Sequence, residues 1–175
     1  ESHKLSLDVV AIQEHRYRTS LDTARMTDSL KLYKFIYSSA DERGVGGVGI
    51  RVKPRIAKSI LKISKISDRI ISVTLNSNPR ITLISAYAPT EEKNDEHKDL
   101  FYAALLQTIA ATPQHNFIVV MGDFNARIGQ DSADTSPRTC EKYIFHDTTS
   151  NNGERLLSLC ESTQMRMAST FKPHK

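Results

Sequence analysis

Cysteine is scarce in this 175-residue chain, and long hydrophobic runs are absent. The two cysteines, Cys140 and Cys160, form no Cys-x-x-Cys pair, which argues against a zinc site. No apolar run approaches the roughly 20 residues that a transmembrane helix needs. The first residues lack the apolar segment of a secretory signal peptide. We therefore expect an intracellular protein, nuclear or cytoplasmic, with free thiols and no membrane partner.

The composition is that of an ordinary folded protein, because 39% of the residues are hydrophobic and 25% are charged. The net charge of +4 is distributed unevenly. Residues 1–90 contain 15 lysines and arginines against 8 acidic residues, whereas residues 91–175 contain 9 against 12. The basic excess is greatest in one stretch, at Arg51, Lys53, Arg55, Lys58, Lys62, Lys65 and Arg69. Such a stretch indicates either a surface for polyanions such as nucleic acid or a solvated sheet edge guarded by lysines.

Short apolar segments separated by turn residues predict a chain rich in strands. Strands are expected at residues 8–13, 32–37, 48–52, 60–66, 69–75, 80–87 and 117–121, with a short one at 166–169. Helical periodicity at residues 95–111 and 153–163 predicts two helices, the first with an apolar face from Leu100 to Ile109. This order predicts the α/β class (α+β type), as a sandwich with its sheets inside and its helices outside.

The segment from Val119 to Asn125 carries the strongest chemical pattern. Its apolar part predicts a buried strand, and Gly122 ends that part just before Asp123 and Asn125. Because side chains alternate along a strand, residues two apart point to one side, and we expect Asp123 and Asn125 to share a pocket. A carboxylate can take a proton from water and an amide can hold an oxygen, which suits hydrolysis of a phosphate ester.

Three predicted strands lead into polar residues of this kind, at Glu14, at Tyr87 and at Asp123. If these strands run in one direction, their ends meet on one rim, where open α/β sheets have their functional crevice. Glu14 would then hold a hard cation such as Mg²⁺, and Tyr87 would hold a phosphate oxygen. Each residue also has a structural alternative, as a solvated loop residue for Glu14, a core residue for Tyr87 and a turn former for Asp123.

Three segments, in this order and at these spacings, resemble the endonuclease/exonuclease/phosphatase superfamily: Ala11-Ile12-Gln13-Glu14, Ile84-Ser85-Ala86-Tyr87-Ala88-Pro89 and Met121-Gly122-Asp123-Phe124-Asn125. Within it, the chain is similar to the apurinic-type endonuclease domain of non-LTR retrotransposons and to related craniofacial-development-like proteins. Further segments carry that similarity, at residues 13–17, 46–49, 123–129, 152–156 and 169–171. The resemblance spans nearly the whole chain.

The resemblance implies a role for each matching residue. Glu14 would be the metal ligand. Asp123, Asn125 and Tyr87 would be catalytic. Weaker candidates for substrate binding are Thr170, Asn152 and Arg16. The implied cofactor is Mg²⁺, with Mn²⁺ as the alternative. The implied partner is DNA, and neither a membrane nor an obligate protein partner is expected.

The resemblance also implies a two-layered β-sandwich flanked by helices that is incomplete at both termini. Residues 1–175 would form a single domain without the family's first strand and last segments, so we expect these residues alone to be inactive or weak. The implied activity is Mg²⁺-dependent nicking of DNA. Two alternatives remain open: a phosphatase or lipid phosphodiesterase of the same superfamily, and a degenerate fragment without catalysis.

Overall fold

The computed structural model describes residues 7–18, 24–27, 32–133 and 135–172, and these form two compact units. The first unit comprises the described residues up to Tyr87 together with 111–123. The second comprises 88–110 and the described residues from Phe124 onward. Eight strands lie in the described part of the first unit: β1 (Val9–Gln13), β2 (Ala24–Thr27), β3 (Lys34–Tyr37), β4 (Val48–Val52), β5 (Ile60–Lys65), β6 (Ile70–Leu75), β7 (Ile81–Tyr87) and β8 (Phe117–Asp123).

The strands of the first unit form two four-stranded sheets. The first sheet has the order β1-β4-β3-β2, and all of its pairs are antiparallel. The second has the order β5-β6-β7-β8, in which β7 and β8 are parallel and the other pairs are antiparallel. Parallel strands need a long crossover, and the chain between β7 and β8 contains a helix, α2 (Asp95–Ala110).

The two sheets pack face to face around one apolar core. Val48, Ile50 and Val52 alternate along β4, as a strand with one buried face requires, and none of the three is exposed. The facing residues of the second sheet include Ile71, Val73, Leu75, Leu83 and Tyr87. The first unit is therefore a two-layered β-sandwich. The short helix α1 (Pro54–Ala57) connects β4 of the first sheet to β5 of the second.

The second unit is helical where it is regular. It contains α2, α3 (Gln130–Ala133), α4 (Asn151–Thr163) and a 3₁₀ turn at Ala168–Phe171. Polar contacts join α2 to α4, since the hydroxyl of Tyr102 donates to the backbone carbonyl of Asn152 at 3.1 Å and Arg155 pairs with Asp99 at 2.8 Å. The start of α4 is capped by Ser150, whose hydroxyl oxygen accepts from the backbone N–H of Gly153.

The predicted fold class is confirmed, and so are most of its elements. Strand β2 was not predicted, because its sequence lacks an apolar run. The strand predicted at 166–169 is wrong: these residues enter the 3₁₀ turn instead. The reason is local, since the hydroxyl of Thr170 donates to the carbonyl of Met167 at 2.8 Å, and such short-range side-chain bonds compete with a strand.

Two burial predictions also need correction. Strand β8 is only half-buried, and Phe117 is 60% exposed, because among the described strands β8 pairs with β7 alone. On α2, Leu100 is 66% exposed, whereas Lys98 is buried. The rest of the predicted face is retained, since Phe101, Leu105 and Ile109 are buried, and the buried amine of Lys98 donates to the side chain of Asn151 at the start of α4. Among the described residues, no helix is both long and apolar enough to span a membrane.

We expect Ile50→Ala to lower the free energy of unfolding by about 2–5 kcal/mol, because it opens a cavity between the sheets. The matched control is Ile66→Ala, since Ile66 is 37% exposed and its loss should cost well under about 1 kcal/mol. Urea denaturation of both variants measures the difference. Equal losses would show that the sandwich core does not lie at Ile50.

Candidate active site

The carboxyl ends of β7 and β8 lie side by side in the first unit. The two strands are parallel, and the register pairs Ala86 with Gly122 and Tyr87 with Asp123. Both residues therefore end their strands at the same edge of the sheet. Asp123 is solvent-exposed, so its carboxylate is accessible at that edge.

Glu14 lies at the same place, although it follows a strand of the other sheet. The hydroxyl of Tyr87 donates a hydrogen bond to Oε1 of Glu14. One residue earlier, Nε2 of Gln13 donates to Oγ of Ser85 at 3.3 Å. The end of β1 is thus joined to the end of β7 by two side-chain contacts. The structure therefore places Glu14 just after β1 in contact with Tyr87 at the end of β7, and Tyr87 opposite Asp123 at the end of β8.

Two arginines give this rim its electrostatic character. The guanidinium of Arg69 lies 5.0 Å from the centre of the Tyr87 ring and donates to the backbone carbonyl of Tyr87 at 3.2 Å. Arg16 lies 3.5 Å from Oε2 of Glu14, and its side chain is 71% exposed. The sequence counted Arg69 only within a basic stretch, because no local pattern relates it to Tyr87.

The ring of His15 fixes the segment that carries Glu14. Its Nδ1 accepts from the backbone N–H of Tyr17, and its Nε2 lies 3.0 Å from the carbonyl of Ser38, so a neutral ring with its hydrogen on Nε2 satisfies both partners. A Cβ on Gly47 would lie 2.6 Å from this ring, which means that only glycine permits the contact. Burial lowers the pKa of His15, which favours the neutral form.

Gly122 is required where β8 reaches its end. A Cβ at this position would lie 1.8 Å from the carbonyl oxygen of Ala86 on the neighbouring strand, and the φ angle is 155°. Glycine thus allows the two strands to pair up to Tyr87 and Asp123. This contact gives a physical reason for the glycine of the Gly-Asp-Phe-Asn segment.

The donor atoms at the rim suit a hard cation. Among the described residues, no group of three or more histidines, cysteines or acidic residues is arranged to hold a metal ion. Mg²⁺ does not need such a group, since it binds through one or two carboxylates and retains waters. Glu14 has a side chain that is 44% exposed and offers only oxygen atoms. These residues therefore fit Mg²⁺ better than zinc, which prefers histidine and cysteine.

The second unit holds the other predicted residues. Asn125 has a φ of 45°, and its Nδ2 donates to the carbonyl of Ala88 at 2.8 Å. Asn152 is fully buried and contacts the backbone of Asn125. Thr170 is also buried, and its hydroxyl accepts from the backbone N–H of Glu141 at 2.9 Å. The shared pocket of Asp123 with Asn125, and the substrate roles of Arg16, Asn152 and Thr170, stay predictions.

The two cysteines do not contribute a nucleophile. Both Cys140 and Cys160 are buried free thiols. Burial raises the pKa of Cys160 to about 11, so the thiol stays protonated at neutral pH.

A model of the endonuclease/exonuclease/phosphatase family matches residues 3–156. The chain belongs to this family. Craniofacial development protein 2 of Bos taurus is 23% identical over 172 residues, which cover 98% of this chain and 28% of that protein. The same protein of Tragulus javanicus gives the same identity and coverage. The chain thus spans 28% of the length of these curated relatives.

Solved structures show the same fold at lower identity. The endonuclease domain of TRAS1, a telomere-specific non-LTR retrotransposon, aligns with a TM-score of 0.57 and 16% identity, over 93% of this chain and 61% of that one. The catalytic domain of Xenopus laevis APE2 aligns with a TM-score of 0.58 and 18% identity, over 90% and 60%. The endonuclease/exonuclease/phosphatase fold predicted from three sequence motifs is confirmed.

We expect Gly122→Ala to destabilise this family member by about 2–4 kcal/mol, because the backbone of Ala86 cannot move aside for the new Cβ. Gly44→Ala is the control: its φ is 73°, but its nearest neighbour is 4.0 Å away, so it incurs only the conformational cost of about 1 kcal/mol. Thermal unfolding compares the two variants. A smaller loss at Gly122 than at Gly44 would contradict the close approach of β7 and β8.

We expect the free energy of unfolding to fall as the pH decreases below about 6.5, because His15 takes up a proton more readily in the unfolded chain than in the folded one. The contribution is fully present above that pH and is lost as the pH falls through the lower pKa of the folded state. Urea denaturation between pH 5 and pH 7.5 checks this. His15→Gln should flatten the dependence, whereas His115→Gln, at an exposed position, should not.

Proposed function

We propose that this chain carries the metal-binding and water-activating part of a phosphodiesterase that nicks DNA. The observation that carries the proposal is the meeting of Glu14 and Tyr87 beside Asp123 at the carboxyl ends of β1, β7 and β8. The first unit thereby offers one carboxylate for a cation, a second carboxylate for water and a phenol hydroxyl for a phosphate oxygen. These are the groups that hydrolysis of a phosphate ester uses.

Glu14 would hold Mg²⁺, with Mn²⁺ as the alternative. When bound, such a cation neutralises charge on the phosphate and favours attack by water. The carboxylate of Glu14 is oriented before the cation arrives, because the Tyr87 hydroxyl bonds one oxygen and Arg16 lies near the other. An oriented ligand needs little rearrangement on binding, which favours affinity.

Asp123 would act as the base that orients water and accepts its proton. Its exposed carboxylate is accessible to water, and the pairing of β8 with β7 fixes its backbone opposite Tyr87. The Tyr87 hydroxyl has a single hydrogen, which it donates to Glu14 here, so it would hold a phosphate oxygen only by turning that hydrogen from Glu14 to the phosphate as negative charge develops. Asn125 would assist from its position two residues further along the chain, as the sequence predicts.

DNA is the proposed substrate because of the charge of the first half of the chain. Residues 1–90 carry a surplus of 7 basic over acidic residues (15 minus 8), and a polyanion is attracted by such a surplus. In the structure, Lys58, Lys62 and Lys65 are exposed on and before β5. The TRAS1 domain, which shares the fold, is an endonuclease of a retrotransposon.

We expect Asp123→Asn to lower Mg²⁺-dependent plasmid nicking by about 10²- to 10⁴-fold, because the amide cannot accept a proton from water. The assay uses the full-length protein that contains this chain. Removal of Mg²⁺ by a chelator should abolish nicking as well. The relaxed circular product is measured by gel electrophoresis over time.

Asp147→Asn is the matched control, since Asp147 is an exposed aspartate with no assigned role. Equal nicking by wild type and Asp123→Asn would falsify the role of Asp123. Hydrolysis of sphingomyelin or an inositol polyphosphate in place of DNA would indicate that the same groups serve a lipid phosphodiesterase or a phosphatase. Absence of all three activities would indicate a chain without catalysis.

A further inference from the structure

Among the described residues of the second unit, Asn152 is the most deeply buried polar side chain. It is the second residue of α4, and none of its surface is exposed. Its Nδ2 donates to two backbone carbonyls, that of Pro89 at 2.9 Å and that of Asn125 at 3.2 Å. Its Oδ1 has no hydrogen-bond partner among the described residues. Burying that oxygen without a partner costs free energy. The presence of asparagine at this position is therefore explained by the two hydrogen bonds that its Nδ2 donates.

The two carbonyls belong to the segments that hold the candidate catalytic amide. Asn125 has a positive φ, a conformation that asparagine adopts more readily than most residues with a side chain. Its Nδ2 donates to the carbonyl of Ala88, the residue before Pro89. Asn152 therefore ties the backbone of Asn125 to the segment that its side chain already contacts. The result is a closed ring of hydrogen bonds.

The backbone of Asn152 is itself held by two other residues, Glu91 and Tyr102. The carboxylate of Glu91 accepts from the backbone N–H groups of Asn151 at 2.9 Å and of Asn152 at 3.3 Å. The hydroxyl of Tyr102 on α2 donates to the carbonyl of Asn152. Glu91 thus satisfies helix-terminal donors that would otherwise be unpaired, and it complements the helix dipole. Because its backbone is held in this way, the side chain of Asn152 has a defined position from which to bond the carbonyls of Pro89 and Asn125.

The loop after Asn125 also lies against the start of α4. The backbone N–H of Ser150 donates to the carbonyl of Arg127 at 3.0 Å, and the backbone N–H of Arg127 donates to the hydroxyl of Ser150. A Cβ on Gly153 would lie 2.2 Å from the same carbonyl, so glycine permits this approach. Asn125 and Arg127 are therefore both anchored to the first turn of α4.

We propose that Asn152 is a positioning residue that sets the backbone, and through it the side-chain amide, of Asn125. This inference rests on the proposed function, in which Asn125 assists at the phosphate. It differs from the substrate contact that the family resemblance implies for Asn152, which would need an exposed side chain, whereas the side chain of Asn152 has no exposed surface. Aspartate cannot take its place, since a carboxylate has no hydrogen to donate to the two carbonyls.

The kinetic test uses Asn152→Asp in the full-length protein. We expect kcat for DNA nicking to fall by about 10- to 100-fold while KM stays within about threefold, because a displaced catalytic group affects the chemical step more than binding. Asn152→Ser introduces no buried charge and serves as the second variant if the first does not fold. It should lower kcat in the same way, since the shorter side chain loses the span between the two carbonyls.

Asn116→Asp is the matched control. Asn116 is also a buried asparagine with an unpartnered Oδ1, and its Nδ2 donates to Thr82 at 3.0 Å. It precedes β8, at the opposite end of that strand from Asp123. We expect this variant to lose thermal stability but to retain kcat within about threefold of wild type. An equal loss of kcat in the Asn116 variant would overturn the positioning role.

A structural readout separates this inference from the proposed function. In a ¹H–¹⁵N correlation spectrum of the 175-residue chain, Asn152→Ser should shift the backbone and side-chain amide signals of Asn125, and Asn116→Asp should leave them in place. Unshifted Asn125 signals in a folded Asn152 variant would overturn the inference, whatever the activity. If the wild-type protein does not nick DNA, the proposed function fails, and the spectra still decide whether Asn152 controls Asn125.

Discussion

The hydrogen bond from the Tyr87 hydroxyl to the Glu14 carboxylate is the contact on which the candidate site depends. It joins the ends of two strands that belong to different sheets, so it forms only when the sheets are packed in register. The ring of Tyr87 belongs to the same apolar core that holds the sheets together. The packing of the sandwich and the orientation of Glu14 are therefore coupled, because the rigid side chain of Tyr87 takes part in both.

Backbone geometry determines the position of Asp123. Parallel pairing with β7 sets its Cα opposite Tyr87, and Gly122 permits the close approach of the two strands. The side chain of Asp123 is exposed at this strand end. This differs from Glu14, whose segment depends on the neutral ring of His15. The two carboxylates thus differ in their local supports, but both depend on Tyr87 and its strand, since Tyr87 bonds Glu14 and pairs with Asp123.

The sequence predicted what depends on local periodicity. Short apolar segments identified β1 and β3 to β8, and strand ends led to Glu14, Tyr87 and Asp123. Such a pattern contains no information on contacts between residues that are distant in the chain. The half-exposure of β8 follows from its edge position, and the buried amine of Lys98 on α2 has its partner, Asn151, on α4. The roles of Arg69 and Glu91 were missed for the same reason, since each contacts residues distant in the chain. The role of His15 was missed because its ring joins the nearby Tyr17 to the distant Ser38.

The two units hold their candidate site residues in place by different interactions. In the first, apolar packing between the sheets fixes the backbone, and polar groups are confined to the strand ends. In the second, the surroundings of Asn125 are set by hydrogen bonds among backbone carbonyls, Asn152 and Glu91. Apolar packing tolerates volume-conserving replacements, whereas a buried polar network has high specificity because each lost donor leaves an unpaired acceptor. Asn152 should therefore be harder to replace than most residues of the sandwich core, although those residues are buried to a similar extent.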